Sequence, residues 1–360
     1  MRALIVADQL RRPVPGGIGT YVRGLVQGLA QLDDERPDVS LWAGSPPKAA
    51  RANNDPLAQL GPVVTSRLRS SALVWAWDHR FAGPPPDYDL VHATSLAVPP
   101  NGAAPMSVMV HDLAWRQFPA SYPRRGRRWH EAALGRALSR ASVLMVPSQV
   151  TADALVAAGA PAARVEIVEE GADHLPPADH PAAGRLLSRI GVKGEFLLTV
   201  STLEPRKNLP RLLEAYRAAR PRLPEPWPLV VCGPVGWGPR LPEVSGVVLA
   251  GPTSGATLAA LYADARVVAY VPLLEGFGLP VVEAMSACTP VVASAVPSAG
   301  GAAREVDPND AGDIAVALVE VASDDRIRSE LVTAGLLRAG DLTWSAAARR
   351  HVELWQGLAR

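Results

Sequence analysis

Runs of three to five apolar, mostly β-branched residues recur along the chain, separated by stretches in which apolar positions return every three or four residues. The short runs Ala3–Val6, Val39–Trp42, Leu90–His92, Ser107–Val110, Val143–Val146 and Glu166–Val168 predict strands buried on both faces. Ile18, Tyr21, Val22, Leu25, Val26, Leu29 and Leu32 share one helical face, and Arg128–Arg140 and Val150–Ala158 predict further helices. The alternation pauses over residues 172–194, where Pro176, Pro177, Pro181, Gly184, Gly191 and Gly194 predict a linker. It resumes with strands Phe196–Val200, Leu229–Cys232, Val247–Leu249, Val267–Val271 and Pro290–Ala293. Helices over Asn208–Ala219, near Thr257–Ala263 and from Gly278 separate them, and Trp344, Ala348, Val352 and Trp355 mark a terminal helix. Strands alternating with helices give parallel sheets. The pattern therefore predicts an α/β fold of two Rossmann-like domains facing a cleft, with ligands at the carboxyl ends of the strands. No repeat of roughly 20–50 residues occurs, which excludes a solenoid.

Composition narrows the class. The 360 residues are 48% hydrophobic and 20% charged, with 36 basic and 35 acidic side chains for a net charge of +1. Residues 1–180 carry 18 basic and 17 acidic side chains, and residues 181–360 carry 18 and 18. Without a basic arm, nucleic-acid binding lacks its electrostatic drive. Two cysteines, Cys232 and Cys288, are too few for a disulfide framework and fit a reducing compartment. No apolar run approaches the ~18 residues of a membrane span. The start, Met1-Arg2-Ala3-Leu4-Ile5-Val6-Ala7-Asp8, turns acidic too soon for a signal peptide. The expectation is a soluble, cytoplasmic protein. Only Lys48, Lys193 and Lys207 are lysines, so a single lysine carries more meaning here than a single arginine.

Four segments could carry chemistry. Pro15-Gly16-Gly17-Ile18-Gly19 falls between the first strand and helix, where exposed amides can meet an anion. It lacks the third glycine of the dinucleotide fingerprint; a phosphate or sugar contact is the favoured reading, and a tight strand–helix turn is the alternative. His111, in Val110-His111-Asp112-Leu113, projects at a strand's carboxyl end. Glu204-Pro205-Arg206-Lys207-Asn208 follows a strand and precedes a helix that Asn208 could cap, so two cations there can meet a diphosphate. In Glu275-Gly276-Phe277-Gly278-Leu279-Pro280-Val281-Val282-Glu283, a loop glutamate sits among glycines and Pro280 suits a first helical turn. Glu283, one turn in, could accept both hydroxyls of a ribose.

Together these segments resemble the retaining glycosyltransferases of the two-domain GT-B fold, and among them family 4. The resemblance spans nearly the whole chain and includes Val146-Pro147-Ser148 and Leu203–Leu209. It implies that Glu283 holds the nucleotide ribose, that Arg206 and Lys207 hold the diphosphate, and that Glu275 contacts the donor sugar. It also implies that His111 lies near the reacting carbon and that Gly16, Gly17, Gly19, Gly276, Phe277, Gly278 and Leu279 line the donor site. No metal or other cofactor is needed, and residues 344–360 cross back onto the first domain. The domains expected are thus 1–175 with 344–360, and 176–343. Three departures stand out: Glu170 where an asparagine usually precedes the glycine, Cys288 where a glycine is usual, and no Leu-Pro-Glu-Val segment after Ser294. In relatives that last segment supports the donor pocket.

The reaction implied is transfer of a hexose, with mannose from GDP-mannose as the best match, to a hydroxyl of a glycan or lipid-linked acceptor in polysaccharide biosynthesis. Two alternatives stand beside it: a degenerate transferase that binds nucleotide sugar without turnover, and a sugar-nucleotide epimerase on the same architecture. Tyr122-Pro123-Arg124-Arg125-Gly126-Arg127-Arg128-Trp129-His130 sets four arginines beside two aromatics, a pattern expected to give peripheral contact with an anionic membrane.

Overall fold

A computed structural model describes residues 1–12, 14–33, 36–46, 55–236, 238 and 240–359; Lys48 lies outside them. The chain divides into two compact units, Met1–His174 with Thr343–Arg360, and Leu175–Leu342.

In the first unit the order is β1 (Arg2–Val6), α1 (Gly16–Ala30), β2 (Asp38–Ser45), β3 (Val63–Arg69), α2 (Ser70–Asp78), β4 (Leu90–Ala93) and β5 (Met106–Met109). It continues with α3 (Ala114–Gln117), α4 (Arg124–Arg140), β6 (Val143–Val146), α5 (Gln149–Ala157) and β7 (Val165–Ile167). The seven strands form one parallel sheet in the order β3-β2-β1-β4-β5-β6-β7. β4, β5 and β6 are buried at every residue, the polar His92 of β4 and Ser107 of β5 included. β3 and α2 were not foreseen. β3 lies at the sheet edge with Thr65, Arg67, Leu68 and Arg69 exposed, so its apolar signal is interrupted.

The second unit has α6 (His180–Arg189), β8 (Leu197–Val200), α7 (Leu209–Ala219), β9 (Leu229–Cys232), β10 (Val247–Gly251), α8 (Gly255–Asp264) and β11 (Val267–Tyr270). Then come α9 (Leu279–Ser286), β12 (Val291–Ala293), β13 (Arg304–Glu305), α10 (Ala311–Ser323) and α11 (Asp325–Asp341). Its parallel sheet runs β10-β9-β8-β11-β12-β13. The stretch expected as a linker contains α6: Asp179 caps its N-terminus, and Pro181 sits in the first turn, where proline starts a helix rather than breaking it. Cys288, just past α9, takes a left-handed φ of +62°, which is why glycine would be the ordinary residue there.

The last helix, α12 (Trp344–Leu358), belongs to the first unit and packs on α1. Trp344 fits only because Gly24 and Gly28 have no side chains; a Cβ on Gly24 would lie inside the indole, and one on Gly28 against the Trp344 carbonyl. Deeper in, Tyr21 Oη lies 2.8 Å from His92 Nε2 and 2.7 Å from His351 Nε2. His92 Nδ1 lies 2.8 Å from Ser107 Oγ, which also accepts from Trp355 Nε1 at 3.0 Å, and His351 Nδ1 lies 2.8 Å from the Ala347 carbonyl. With no added proton, one arrangement satisfies every contact. Ala347 only accepts, so His351 carries its proton on Nδ1 and takes the Tyr21 hydroxyl proton at Nε2. His92 then donates from Nε2 to Tyr21 and accepts from Ser107 at Nδ1. Both imidazoles are neutral in it. Burial, the largest influence on each, agrees: it pushes His92 well below the usual range and His351 down to about 4.

Candidate functional site

Several helices begin under a side-chain cap, among them α5, α6, α8, α10, α11 and α12. α7 and α9 begin differently. Their N-cap residues, Asn208 (φ +59°) and Gly278 (φ +99°), are left-handed and make no side-chain cap hydrogen bond. First-turn N–H groups at both starts are therefore not capped by the N-cap side chain. Asn208 occupies the cap position foreseen for it, but its amide instead donates to the carbonyls of Val271 (3.0 Å) and Pro308 (2.7 Å). That ties the loop after β8 to the loop after the neighbouring strand β11.

Between these loops a charged cluster forms. Lys207 Nζ donates to Glu275 Oε1 at 2.6 Å and to Tyr270 Oη at 2.8 Å, and Tyr270 donates to the same carboxylate oxygen at 3.0 Å. Arg206 Nη1 lies 3.0 Å from Glu275 Oε1 and donates to the Leu274 carbonyl, while Nη2 pairs with Glu204 at 3.1 Å. Burial disfavours the charged form of Glu275, but the Arg206 and Lys207 cations outweigh it and hold the carboxyl at about 2. Burial, reinforced by Glu275, pushes the Tyr270 phenol well up, so Tyr270 stays a donor at neutral pH.

Glu283 is held by a tyrosine of its own. It is 7% exposed on α9, and Tyr262 of α8 donates to its Oε2 at 2.7 Å. Gly276, Phe277, Gly278 and Leu279 are buried. A Cβ on Gly278 would collide with Val296, Ser298 Oγ donates to the Gly278 carbonyl at 2.9 Å, and Ser298 N donates to the Phe277 carbonyl at 3.0 Å. Val296-Pro297-Ser298 thus supports the glycine loop, although no Leu-Pro-Glu-Val segment is present. Tyr262, Tyr270, Val296 and Ser298 were not singled out from the sequence. Their only local signal is that two tyrosines interrupt otherwise apolar runs.

In the first unit Gly16, Gly17 and Gly19 form the first turn of α1 rather than a loop before it. Gly16 (φ +61°) and Gly17 are exposed with open space where a Cβ would point, whereas a Cβ on Gly19 would strike Pro15. The first two leave room for a ligand; the third is required by packing. His111 lies two residues past β5, with Nδ1 3.1 Å from Glu170 Oε1 and Nε2 3.0 Å from the Thr94 carbonyl. Its ring stands edge-on to Tyr21 at 5.0 Å. Asp112, next to it, accepts from Ala114 N at 3.0 Å and so serves the local turn. The departure at Glu170 thus coincides with the histidine's partner.

In the basic segment Arg124, Arg125 and Arg128 are exposed. Its aromatics are not: Tyr122 and Trp129 are half-buried against the core, and Trp129 Nε1 donates to Asp78 at 3.0 Å. Among the described residues the exposed large aromatics are instead Trp75 (55%) on α2 and Phe81 (75%) just after it, stacked at 5.7 Å.

Comparison with known proteins places two family models on the chain: Glycosyltransferase Family 4 on residues 15–174 and Glycosyl transferases group 1 on residues 188–335. The chain is 25% identical over 382 residues to the O-antigen chain mannosyltransferase B of Escherichia coli, covering 99% of this chain and 100% of that protein. It is 27% identical over 403 residues to an MMP alpha-(1->4)-mannosyltransferase of Mycolicibacterium hassiacum, covering 95% and 94%. Among solved structures, Anabaena Alr3699/HepE in complex with UDP and glucose matches at a TM-score of 0.71 and 18% identity, covering 99% of this chain and 100% of that one.

Proposed function

The chain belongs to the family 4 glycosyltransferases, and on that premise we propose that it moves a mannose-type hexose from a nucleoside diphosphate to a hydroxyl of a glycan or lipid-linked acceptor, with retention at the anomeric carbon. Support for the sugar comes from similarity to named mannosyltransferases over nearly the whole chain. The observation that carries the reading is the Arg206–Lys207–Glu275 cluster beside the left-handed starts of α7 and α9.

In the proposed reaction the bond from the anomeric carbon to the phosphate oxygen breaks, and its electron pair leaves with the nucleoside diphosphate. The acceptor hydroxyl attacks from the same face and passes its proton to that phosphate oxygen. The new glycosidic bond thus keeps the configuration of the old, with no covalent sugar on the protein. Negative charge grows on the diphosphate, and groups fixed beforehand stabilise it at little reorganisation cost. With Glu204 counted, the cluster is formally neutral. The pull on an anion therefore comes from the positive helix starts at the Leu209 and Leu279 N–H groups, Pro210 and Pro280 having none, and from Lys207 turning from Glu275 to phosphate. Glu283 takes the ribose hydroxyls, and Glu275, once Lys207 turns, faces the sugar. The support that Val296 and Ser298 give to Gly278 favours a working donor pocket over a degenerate one.

Among the described residues no helix is long and apolar enough to cross a membrane. Trp75 and Phe81, joined to the arginine-rich α4 through the Trp129–Asp78 bond, support peripheral docking on anionic lipid. Co-sedimentation with anionic but not neutral vesicles, weakened by salt, is the expected result.

The decisive experiment incubates the purified protein with GDP-mannose, UDP-glucose and ADP-glucose, with and without chelator, beside calorimetric titration of GDP, UDP and ADP. Transfer or hydrolysis from one donor, undiminished by chelator, is expected. Isomerised donor, or no turnover with any, would refute the reading.

A further inference from the structure

Both ring nitrogens of His111 face groups that accept. Nε2 meets the Thr94 carbonyl, and Nδ1 meets Glu170, a carboxylate buried to 4% exposure. A neutral imidazole has one N–H and a bare nitrogen, so one contact would set lone pair against lone pair. The contacts are both satisfied when the pair holds one more proton, on Nδ1 or shared with Oε1.

Among the described residues, Glu170 is the carboxylate that His111 contacts directly. Tyr21 of α1 presents its ring, and its hydroxyl is already committed to His92 and His351. His92 of β4 is neutral in the buried chain described above, and Asp112 on the same loop adds a second carboxylate nearby. Burial of the His111 ring opposes its charge, yet Glu170, Thr94 and Asp112 together raise its titration above the usual range.

We propose that Glu170 is a positioning residue that keeps His111 doubly protonated, so that the transferase works with an imidazolium at this place. The inference rests on the reading that His111 borders the reacting sugar. The imidazolium and Glu170 together carry no net charge. Loss of the proton leaves an unbalanced buried carboxylate and breaks one of the two contacts that orient the ring. With both nitrogens occupied, His111 does not serve as a general base. The pair also explains why a glutamate at residue 170 suits this chain: an amide there would orient the ring without fixing its charge.

The test uses the full chain and Glu170→Gln, which keeps the shape and an oxygen acceptor. NMR titration of the histidine ring protons, with the His111 signal identified by its absence in His111→Gln, reads the proton without requiring activity. In the unaltered protein His111 should titrate above the ordinary value of ~6.5, and in Glu170→Gln at least about one pH unit lower. The alkaline limb of kcat/KM should move by the same amount. At acid pH, where both proteins are protonated, their rates should converge. Glu170→Asp should restore part of the shift. A His111 that titrates at the same pH in both proteins overturns the proposal, and so do superimposable rate profiles in the face of shifted titrations. Failure of the underlying function is a separate result, namely an unaltered protein that turns over no nucleotide sugar.

Discussion

Replacing Glu275 by Gln removes the anion on which Lys207, Arg206 and Tyr270 converge. In the folded chain this carboxyl titrates at about 2 rather than at its ordinary 4.5. At ~1.4 kcal/mol per pH unit, the ionised form contributes ~3 kcal/mol to stability at neutral pH. The sign follows from the direction. A carboxyl depressed on folding stabilises fully above its unfolded value, and the contribution is lost as pH falls toward its folded value. About 2 kcal/mol should be gone near pH 3. Urea unfolding of the unaltered protein and of Glu275→Gln, at pH 7 and again near pH 3, isolates the effect, because other carboxylates change alike in both. The stability gap should be at most ~3 kcal/mol at neutral pH, since Gln still accepts hydrogen bonds, and should shrink to ~1 kcal/mol in acid. A gap independent of pH would mean that the cluster holds Glu275 by shape rather than charge.

Glu283→Ala should weaken UDP, GDP and ADP binding by ~1–3 kcal/mol, the cost of unmatched ribose hydroxyls; calorimetry that finds all three unchanged rules out the ribose role. Lys207→Ala should reduce affinity for a nucleoside diphosphate far more than for the free nucleoside, and equal losses would remove its phosphate role. Gly278→Ala forces a residue with a Cβ into φ +99° and against Val296. It should cost on the order of 1–3 kcal/mol of stability, and an unshifted melting temperature would contradict the packing described.

The sequence pattern reached the elements whose apolar residues face a core on both sides. Val143–Val146 and Leu229–Cys232 match their strands end to end. It missed β3, where Thr65, Ser66 and Arg67 interrupt the run because an edge strand needs only part of its surface buried. It read α6 as a linker because Pro181 marks a break unless its place in the first turn is known. Residue chemistry picked out Arg206, Lys207 and Glu275, but not how they are held. Lys207 and Glu275 are 68 residues apart, His111 and Glu170 are 59, and Tyr21 and His351 are 330. Local periodicity carries nothing at such separations. Tyr270, Tyr262 and Glu170 become legible only once the loops after neighbouring strands are placed side by side.

The seat of α12 has a consequence for how the chain is made. The first unit cannot be completed when residue 174 is synthesised, because its missing pieces, Trp344, His351 and Trp355, lie beyond Leu175–Leu342. At ~5–20 residues per second, a ribosome needs roughly 10–30 s to cross that interval. Meanwhile the groove over Gly24 and Gly28 stands open, and Tyr21 and Ser107 must hydrogen-bond to water in place of His351 and Trp355. The second unit has no such debt, since it is one continuous segment, Leu175–Leu342. A nascent chain of this protein therefore finishes its middle before its beginning, and the emergence of α12 is the step that closes the N-terminal core.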